Sequence, residues 1–352
     1  MKQIRTKEIS VKTQTRSAPA YGATVLPVRQ RKVFGGGLLP KAGVIALLLG
    51  TGLLTAMGQT NQPKYRFIEL TLPGPGWADG INDYGLVTGF YVDPATGDVF
   101  SYLFENGVLT TGISAPGATY TSLGPPNNLG MLGGNYGDYT NQQPVIYDVS
   151  RRTYTPLPEI PGMPLNLGDG LNDFGHASGV AYAGGNWVDG GTGLGLNWIW
   201  DGRQYSFFTV PGAVNGAAAG GINDWDQVAG TYVDSSGLPK GFVKDGTNYI
   251  TLEVPDSIFT EAFGINNLGV VTGLYQDMSG NYHGYFWSRG RYVTVDTTIP
   301  GAVGALWYGS NDFGDLAGFI EDTNNVQHAV IAVRVDGVAE RKGGAALGTD
   351  GQ

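Results

Sequence analysis

The sequence predicts an all-β protein made of six copies of one four-stranded unit. Glycine accounts for 58 of the 352 residues and charged residues for only 14%, while Tyr, Phe, Trp, Val and Thr recur in short runs between turn-forming residues. This composition is typical of short strands joined by tight turns. After residue 58 no stretch keeps the 3.6-residue apolar period of a long amphipathic helix. The third observation is an internal repeat.

The repeat is the pattern Asn-[Asp/Asn]-x-[Gly/Asp]-x-x-x-Gly, which occurs six times at spacings of 45, 45, 51, 43 and 45 residues. A fixed period of this length is the signature of repeat architectures. The six copies start at Asn82, Asn127, Asn172, Asn223, Asn266 and Asn311, and their closing glycines are Gly89, Gly134, Gly179, Gly230, Gly273 and Gly318.

One unit, for example Phe263 to Pro300, contains four strand-like runs within about 45 residues. That is the size of one blade of a β-propeller, so the sequence predicts a six-bladed propeller of four-stranded blades. Asn and Asp bond the nearby backbone and Gly accepts positive φ, which places the motif in the hairpin between the first and second strands.

The chain ends predict how the ring closes. The segment Arg66 to Pro73 matches the fourth-strand segments Tyr249–Pro255 and Tyr292–Pro300, whereas the sixth unit ends after its third strand near Val335. We therefore expect the N-terminal strand to complete the last blade, which removes open sheet edges. A β-solenoid is the alternative, although it would not need complementary ends.

The third strand of several units opens with a His-Ala-Phe-like tripeptide. The matching residues are His328-Ala329-Val330, His283-Gly284-Tyr285-Phe286 and the variant Lys240-Gly241-Phe242, whereas the other three units lack the histidine. In this respect the chain resembles the HAF-repeat extracellular proteins. The resemblance implies an exported bacterial repeat protein and supplies no catalytic residues.

The first 58 residues are typical of an export segment. A basic segment that includes Arg29, Arg31, Lys32 and Lys41 precedes seventeen uncharged residues from Ala42 to Gly58. This arrangement predicts a signal peptide cleaved near Gly58, with an uncleaved membrane anchor at residues 42–58 or a buried core segment as the alternatives. We expect an exported protein (periplasmic, extracellular or on the cell surface), with the propeller at 59–336 and a disordered tail at 337–352.

Charge and cysteine content exclude several functions. Residues 1–58 hold nine Lys or Arg and one acidic residue, and the remainder holds 12 basic and 29 acidic residues, a formal charge of −17. A surface of that sign repels phosphate backbones and disfavours nucleic acid as a partner. The absence of cysteine excludes disulfides, thiolate metal sites and a cysteine nucleophile. We expect a monomer.

A carboxylate follows most repeat asparagines by eleven residues, in the predicted turn between the second and third strands. Asp opens such turns by accepting bonds from backbone amides, which is its simplest role. Oxygen ligands of this kind also suit calcium, so a calcium site is the alternative. The candidate calcium ligands are Asp93, Asp234, Asp277 and Asp322, with Asp138 at the equivalent position.

The first strands of a propeller line its channel, and some carry unusual side chains. Trp77, Asp79, Asp169, Glu261, Phe263, Trp307 and Tyr308 stand where other units carry Gly, Ala or Ser. They are candidates for ligand contact or for filling the channel. Trp187, in the Gly-rich insertion of the third unit, is a further candidate, with packing on its own blade as the alternative.

Function is less determined than fold. No P-loop, dinucleotide fingerprint, zinc-protease or serine-hydrolase motif occurs. The leading hypothesis is a non-catalytic module that binds carbohydrate or a protein partner. An enzyme acting on extracellular polysaccharide and a structural surface protein are the alternatives. We expect any site on the face that carries Asp93, Asp234 and Asp277, because the near-identical Asn-Asp-x-Gly hairpins of the other face suit structure better than recognition.

Overall fold

The computed structural model describes residues 62–183, 195–214 and 216–336, where all regular structure is β-strand. The predicted export segment at residues 1–58 and the predicted tail at 337–352 lie outside the described residues. In these three ranges there is no helix with the length and apolar character needed to cross a membrane.

The described residues form 24 strands, most of them four to seven residues long. In chain order they are β1 Tyr65–Glu69, β2 Gly76–Ile81, β3 Val87–Val92, β4 Val99–Glu105, β5 Val108–Ile113, β6 Tyr120–Pro126, β7 Met131–Gly137, β8 Gln142–Asp148, β9 Thr153–Pro156, β10 Leu165–Leu171, β11 Ala177–Tyr182, β12 Leu196–Trp200, β13 Tyr205–Phe208, β14 Ala217–Ile222, β15 Val228–Val233, β16 Pro239–Asp245, β17 Asn248–Leu252, β18 Ser257–Ile265, β19 Val271–Asp277, β20 Tyr282–Ser288, β21 Arg291–Thr294, β22 Ala302–Ser310, β23 Leu316–Asp322 and β24 Gln327–Arg334.

Successive strands pair antiparallel in groups of four, and each group is one sequence repeat. The groups β2–β5, β6–β9, β10–β13, β14–β17 and β18–β21 are complete in themselves. One parallel residue pair joins the first unit to the second and another joins the second to the third. These three units therefore form one twelve-stranded sheet, while the other three are separate four-stranded sheets.

The sixth unit takes its fourth strand from the start of the described chain. β1 pairs antiparallel with β24 from Tyr65↔Arg334 to Glu69↔Val330. Phe67 of β1 stacks on Trp307 of β22 with ring centroids 6.2 Å apart. The N-terminal strand thus occupies the fourth position of the last unit, as the sequence predicted.

The repeat asparagine closes the hairpin between the first and second strands of each unit. In the third unit, Asn172 Oδ1 accepts hydrogen bonds from the backbone amides of Phe174 (3.1 Å) and His176 (2.9 Å). The same pair of bonds, to the residues two and four positions on, recurs in all six units. An aspartate could accept these bonds, so the turn alone does not explain the amide.

The side-chain amide nitrogen of this asparagine is needed for a hydrogen bond to the next unit. Each of these asparagines also donates from Nδ2 to the backbone carbonyl of the asparagine in the following unit, at 2.9–3.2 Å. The sixth bond runs from Asn311 back to Asn82, so the six side chains form a closed circuit that we call the Asn ring. It consists of Asn82, Asn127, Asn172, Asn223, Asn266 and Asn311.

Two further motif positions have separate steric causes. The fourth residue has φ between 56° and 83° in every unit, which explains Gly in five units and Asp226, tolerated there, in one. The closing glycine has ordinary φ but no room for a side chain. A Cβ at Gly89, for example, would overlap the backbone carbonyl of Trp77 on the first strand, where the register shifts at a bulge.

The apolar core lies between neighbouring units rather than inside any one of them. One cluster joins Ala229 and Val243 of the fourth unit to Ala262 and Val271 of the fifth. Another joins the first unit to the sixth, where the buried side chains of Tyr102 and Ile331 belong to the same cluster. Each unit therefore depends on its neighbours for burial of its sheet faces.

We expect Asn172→Ala to destabilise the fold substantially. It removes four hydrogen bonds, to Phe174, His176, Asn223 and the Asp226 carboxylate, and at about 1 kcal/mol net for each the loss is roughly 4 kcal/mol of unfolding free energy. Urea unfolding measures this loss. The exposed Asn248, substituted the same way, is the control and should change stability by less than about 0.5 kcal/mol. Equal losses in both variants would show that the Asn ring is not a source of stability.

Candidate functional site

The first strands of all six units surround one axial pocket. It opens on the face that carries the Asn-Asp-x-Gly hairpins, here called the Asn face, and encloses about 610 Å³ including space open to solvent. The pocket is lined by the Asn ring, by the residue after each asparagine and by the two residues before most of them. The sequence had favoured the opposite face, so the position of this pocket differs from that expectation.

The residues that follow the asparagines make a second closed circuit, which we call the carboxylate ring. The Oδ1 atom of each member accepts a hydrogen bond from the backbone amide of the equivalent residue in the preceding unit, at 2.7–3.0 Å. Its members are Asp83, Asn128, Asp173, Asp224, Asn267 and Asp312, so four carboxylates face the pocket mouth.

The carboxylates of this ring repel one another. Burial, and then the charges of Asp224 and Asp83, raise the pKa of Asp173 above its usual range. The same causes raise the pKa of Asp312, with Asp83 ahead of Asp224. The mouth of the pocket is therefore a place where a positive charge is electrostatically favourable.

A third set of side chains lies outside the carboxylate ring, at the third motif position. In every unit this residue is a large hydrophobic one that is 50–72% exposed. We call the set the apolar ring, and it comprises Tyr84, Leu129, Phe174, Trp225, Leu268 and Phe313. A turn needs no apolar side chain at its tip, so six repetitions of one call for a reason outside the fold.

Sequence reasoning missed the apolar ring because the third motif position was treated as variable. The signal was present all the same. The position holds a different residue in most units, yet every one of them is aromatic or leucine.

Three predicted carboxyl groups lie on first strands, one in each of the first, third and fifth units. Burial raises the pKa of Asp169 to about 6 and that of Glu261 to about 7. Burial, and secondarily the Asp169 charge, also raise the pKa of Asp79 well above its usual range. Asp169 keeps solvent-accessible surface although protein atoms surround it, whereas Glu261 is only 8% exposed and Asp79 Oδ2 is buried beside Trp77.

The predicted aromatic residues of the channel pack on one another. Trp77 is buried, and its ring lies 5.8 Å from that of Tyr308, which in turn lies 4.9 Å from that of Phe263. Phe319 joins the same apolar cluster. Of the two readings that the sequence left open, these contacts favour filling of the channel.

The prediction that Trp307 faces the channel mouth is wrong. Its side chain is completely buried in the core between the fifth and sixth units, and its Nε1 donates to the carbonyl of Val295 at 2.9 Å. The register of β22 shifts between Trp307 and Gly309, so simple alternation along the strand does not give the direction of this side chain. Trp187, the candidate in the insertion, lies outside the described residues.

The four candidate calcium ligands lie in separate turns, where each carboxylate accepts bonds from its own turn. Asp93 accepts from the amide of Ala95 at 2.7 Å, and Asp277 accepts from those of Ser279 and Asn281 at 2.8 Å. Asp234 and Asp322 do the same with Ser236 and with Asn324 and Val326. In the described ranges no three His, Asp or Glu side chains are grouped so that they could hold a metal ion.

Three of these aspartates have a second role, because a basic side chain joins each of them to an acid near the fourth strand. His283 lies 3.3 Å from Asp277 and 3.0 Å from Asp296. Lys240 similarly joins Asp234 to Glu253. In the sixth unit His328 joins Asp322 to Glu69 of β1, so the N-terminal strand supplies the acid as well as the backbone pairing. These bonds explain the histidine position of the tripeptide structurally.

Comparisons with known proteins reveal no close relative. No protein family model matches the chain, and no curated protein does. Among solved structures, the fucose-recognising lectin of Aleuria aurantia, described as a six-bladed β-propeller, is 10% identical over 76% of this chain and 97% of its own, with a TM-score of 0.46.

Two other solved structures are about equally similar. A gluconolactonase from Xanthomonas campestris is 12% identical over 77% of this chain and 90% of its own, with a TM-score of 0.49. The β-propeller domain of the Trilobed protease from Pyrococcus furiosus is 13% identical over 78% and 84%, with a TM-score of 0.44. All three TM-scores are below 0.5, so these likenesses assign neither a ligand nor a number of units to this chain.

The two ion pairs of His283 lead us to expect that the stability of the fold depends on pH. Burial lowers its pKa, but the bonds to Asp296 and Asp277 outweigh burial and raise the pKa above 6.5. A raised pKa stabilises the fold below the unfolded-state value, and this stabilisation is lost as pH rises through the folded-state value. His283→Lys should abolish that loss, because lysine stays protonated there and Lys240 shows that it fits the position. Unfolding free energies from pH 5 to 8.5 that fall equally in parent and variant would contradict this assignment.

The buried carboxyl of Glu261 should make stability depend on pH in a second, lower interval. Its pKa is raised from 4.5 to about 7, so the unfolded chain ionises first as pH rises and the folded state loses relative stability over that interval. The glutamine of Glu261→Gln does not ionise. The unfolding free energy of the variant should therefore increase relative to that of the parent between pH 4.5 and about 7, and the difference should stay constant above that interval. A constant difference across that interval would mean that the carboxyl is not enclosed as described.

Proposed function

We propose that this chain is a six-bladed β-propeller that serves as an exported, non-catalytic binding module, and that its ligand is a protein segment held on the Asn face. The six units, their two closed hydrogen-bond circuits and the pairing of β1 with β24 support the propeller. The export segment and the His-Ala-Phe-like positions favour an extracellular repeat protein of the HAF type.

The apolar ring is the observation that carries the proposal. Exposed apolar side chains in a repeated, circular arrangement around a pocket are what a recognition surface requires and what a stable soluble fold avoids. Aromatic residues are enriched in protein interfaces, where they bury much area at small entropic cost. Leu129 and Leu268 offer no flat face to a sugar ring, which favours a protein segment over a carbohydrate.

The channel acids are less suited to a polysaccharide-active enzyme. The raised pKa values of Asp169 and Glu261 lie in the range useful for proton transfer. A glycan chain would have to reach them, however, and Glu261 is buried beside packed aromatic rings. We therefore place recognition at the surface and not in the channel.

Selection of phage-displayed random dodecapeptides on the purified protein, with a glycan array in parallel, tests the proposal. We expect enriched peptides whose affinity for Phe174→Ser/Trp225→Ser falls by about tenfold or more, since central aromatic side chains dominate such interfaces. Melting temperature should fall only modestly, because both side chains are mostly exposed and the one hydrogen bond lost, from Trp225 Nε1 to the carbonyl of Asn267, contributes about 1 kcal/mol.

The matched control is Val108→Ser/Ile250→Ser, which removes exposed apolar side chains that lie outside the ring. Peptide affinity should survive in this variant. The absence of enriched peptides, equal binding by both variants, or binding confined to glycans would each contradict the proposed function.

A further inference from the structure

The mouth of the axial pocket is uniformly negative. Four of the six members of the carboxylate ring are aspartates, and no Lys or Arg is among the residues that line the pocket. The chain after residue 58 has a formal charge of −17, so the surroundings of the pocket reinforce this sign.

The geometry of the ring keeps these charges in place. Asp83 Oδ1 accepts from the amide of Asp312 at 2.8 Å and its Oδ2 from Asn128 Nδ2 at 3.1 Å. Asp173 and Asp224 are held by the amides of the preceding units, at 2.7 and 2.8 Å. None of them can turn away from its neighbours without breaking the circuit, so their mutual repulsion remains until a cation enters.

The pocket suits a long organic cation better than a bare metal ion. Within the described chain the acidic side chains are not grouped closely enough to hold a metal. The walls below the carboxylates are apolar, with Leu171 and Ile222, and the sixth unit contributes Ser310, whose buried Oγ has no hydrogen-bond partner. Lysine and arginine side chains have this same pattern of an apolar stem and a charged, hydrogen-bonding end.

We propose that the Asn face recognises a basic protein segment, which inserts a Lys or Arg side chain between the carboxylates and lays apolar residues on the apolar ring. This inference rests on the proposed function and names the chemistry of its ligand. Charge complementarity accounts for the four carboxylates and apolar contact accounts for the surrounding ring, so one ligand explains both a charge and an exposed apolar surface that the hydrogen bonds of the fold do not require.

Two members of the carboxylate ring show that asparagine can take the place of aspartate there. Asn128 and Asn267 take the same ring position and accept the same backbone bond through an amide oxygen. The fourfold variant Asp83→Asn/Asp173→Asn/Asp224→Asn/Asp312→Asn should therefore keep both circuits while it removes the negative charge.

The probes are the dodecapeptides enriched on the parent protein and copies of them in which every Lys and Arg is replaced by Gln. We expect the enriched sequences to contain Lys or Arg beside apolar residues, and their affinity to fall at least about tenfold in the fourfold variant or in the Gln copies. Raising salt from 50 to 500 mM should weaken binding to the parent much more than binding to the variant.

The control removes four charges away from the pocket, with Asp98→Asn/Glu105→Gln/Glu159→Gln/Asp256→Asn, and should retain affinity. Peptides without basic residues that bind the fourfold variant as well as the parent, but are lost in Phe174→Ser/Trp225→Ser, would overturn this inference and leave the proposed function standing. If the fourfold variant and the charge control lose affinity equally, net charge alone explains the effect, and that result would also overturn the inference.

Discussion

One side chain, the repeat asparagine, sets the geometry on which the rest of the structure depends. Its oxygen fixes the hairpin of its own unit and its amide nitrogen fixes the position of the next unit. Because both ends of a short, stiff side chain are occupied, the hairpin has no freedom to tilt. The residue after it must then face the axis and the one after that must face outward, which is how one local turn yields a carboxylate ring and an apolar ring at once.

The six units share this hairpin geometry and differ in the side chains of their first strands and in their ion pairs. Bulky side chains of the first, fifth and sixth units fill one side of the channel, while the second and fourth carry only Gly124 and Gly220 at the bulge position. The acid–base–acid bridges occur in the fourth, fifth and sixth units. The Asn face is the more uniform of the two faces, and its uniformity extends to its exposed residues.

Much of the fold could be predicted from the sequence, because repeat spacing and turn chemistry are local properties. The position of the motif in the first hairpin, the four strands of each unit and the pairing of β1 with the last unit all follow from them. Side-chain direction was harder. The bulge in each first strand breaks the alternation of faces. Trp307 therefore points into the core between two units instead of toward the axis, and the sequence could not rank Asp79, Asp169 and Glu261 by exposure. The pocket lies on the face that the sequence disfavoured, because uniformity among the hairpins at its mouth says nothing about the side chains that those hairpins expose.

The pairing of β1 with β24 has a consequence for how the protein is made. Tyr65 leaves the ribosome long before Arg334, its partner, exists. Until then the first strand is an unpaired edge, and the Asn ring lacks its last donor. Each earlier unit can assemble against the one before it, but closure waits for β24 and joins segments far apart in the chain, a slow kind of contact. Among the described strands, β1 is therefore synthesised first and paired last, and the nascent chain is exposed to mispairing throughout that interval.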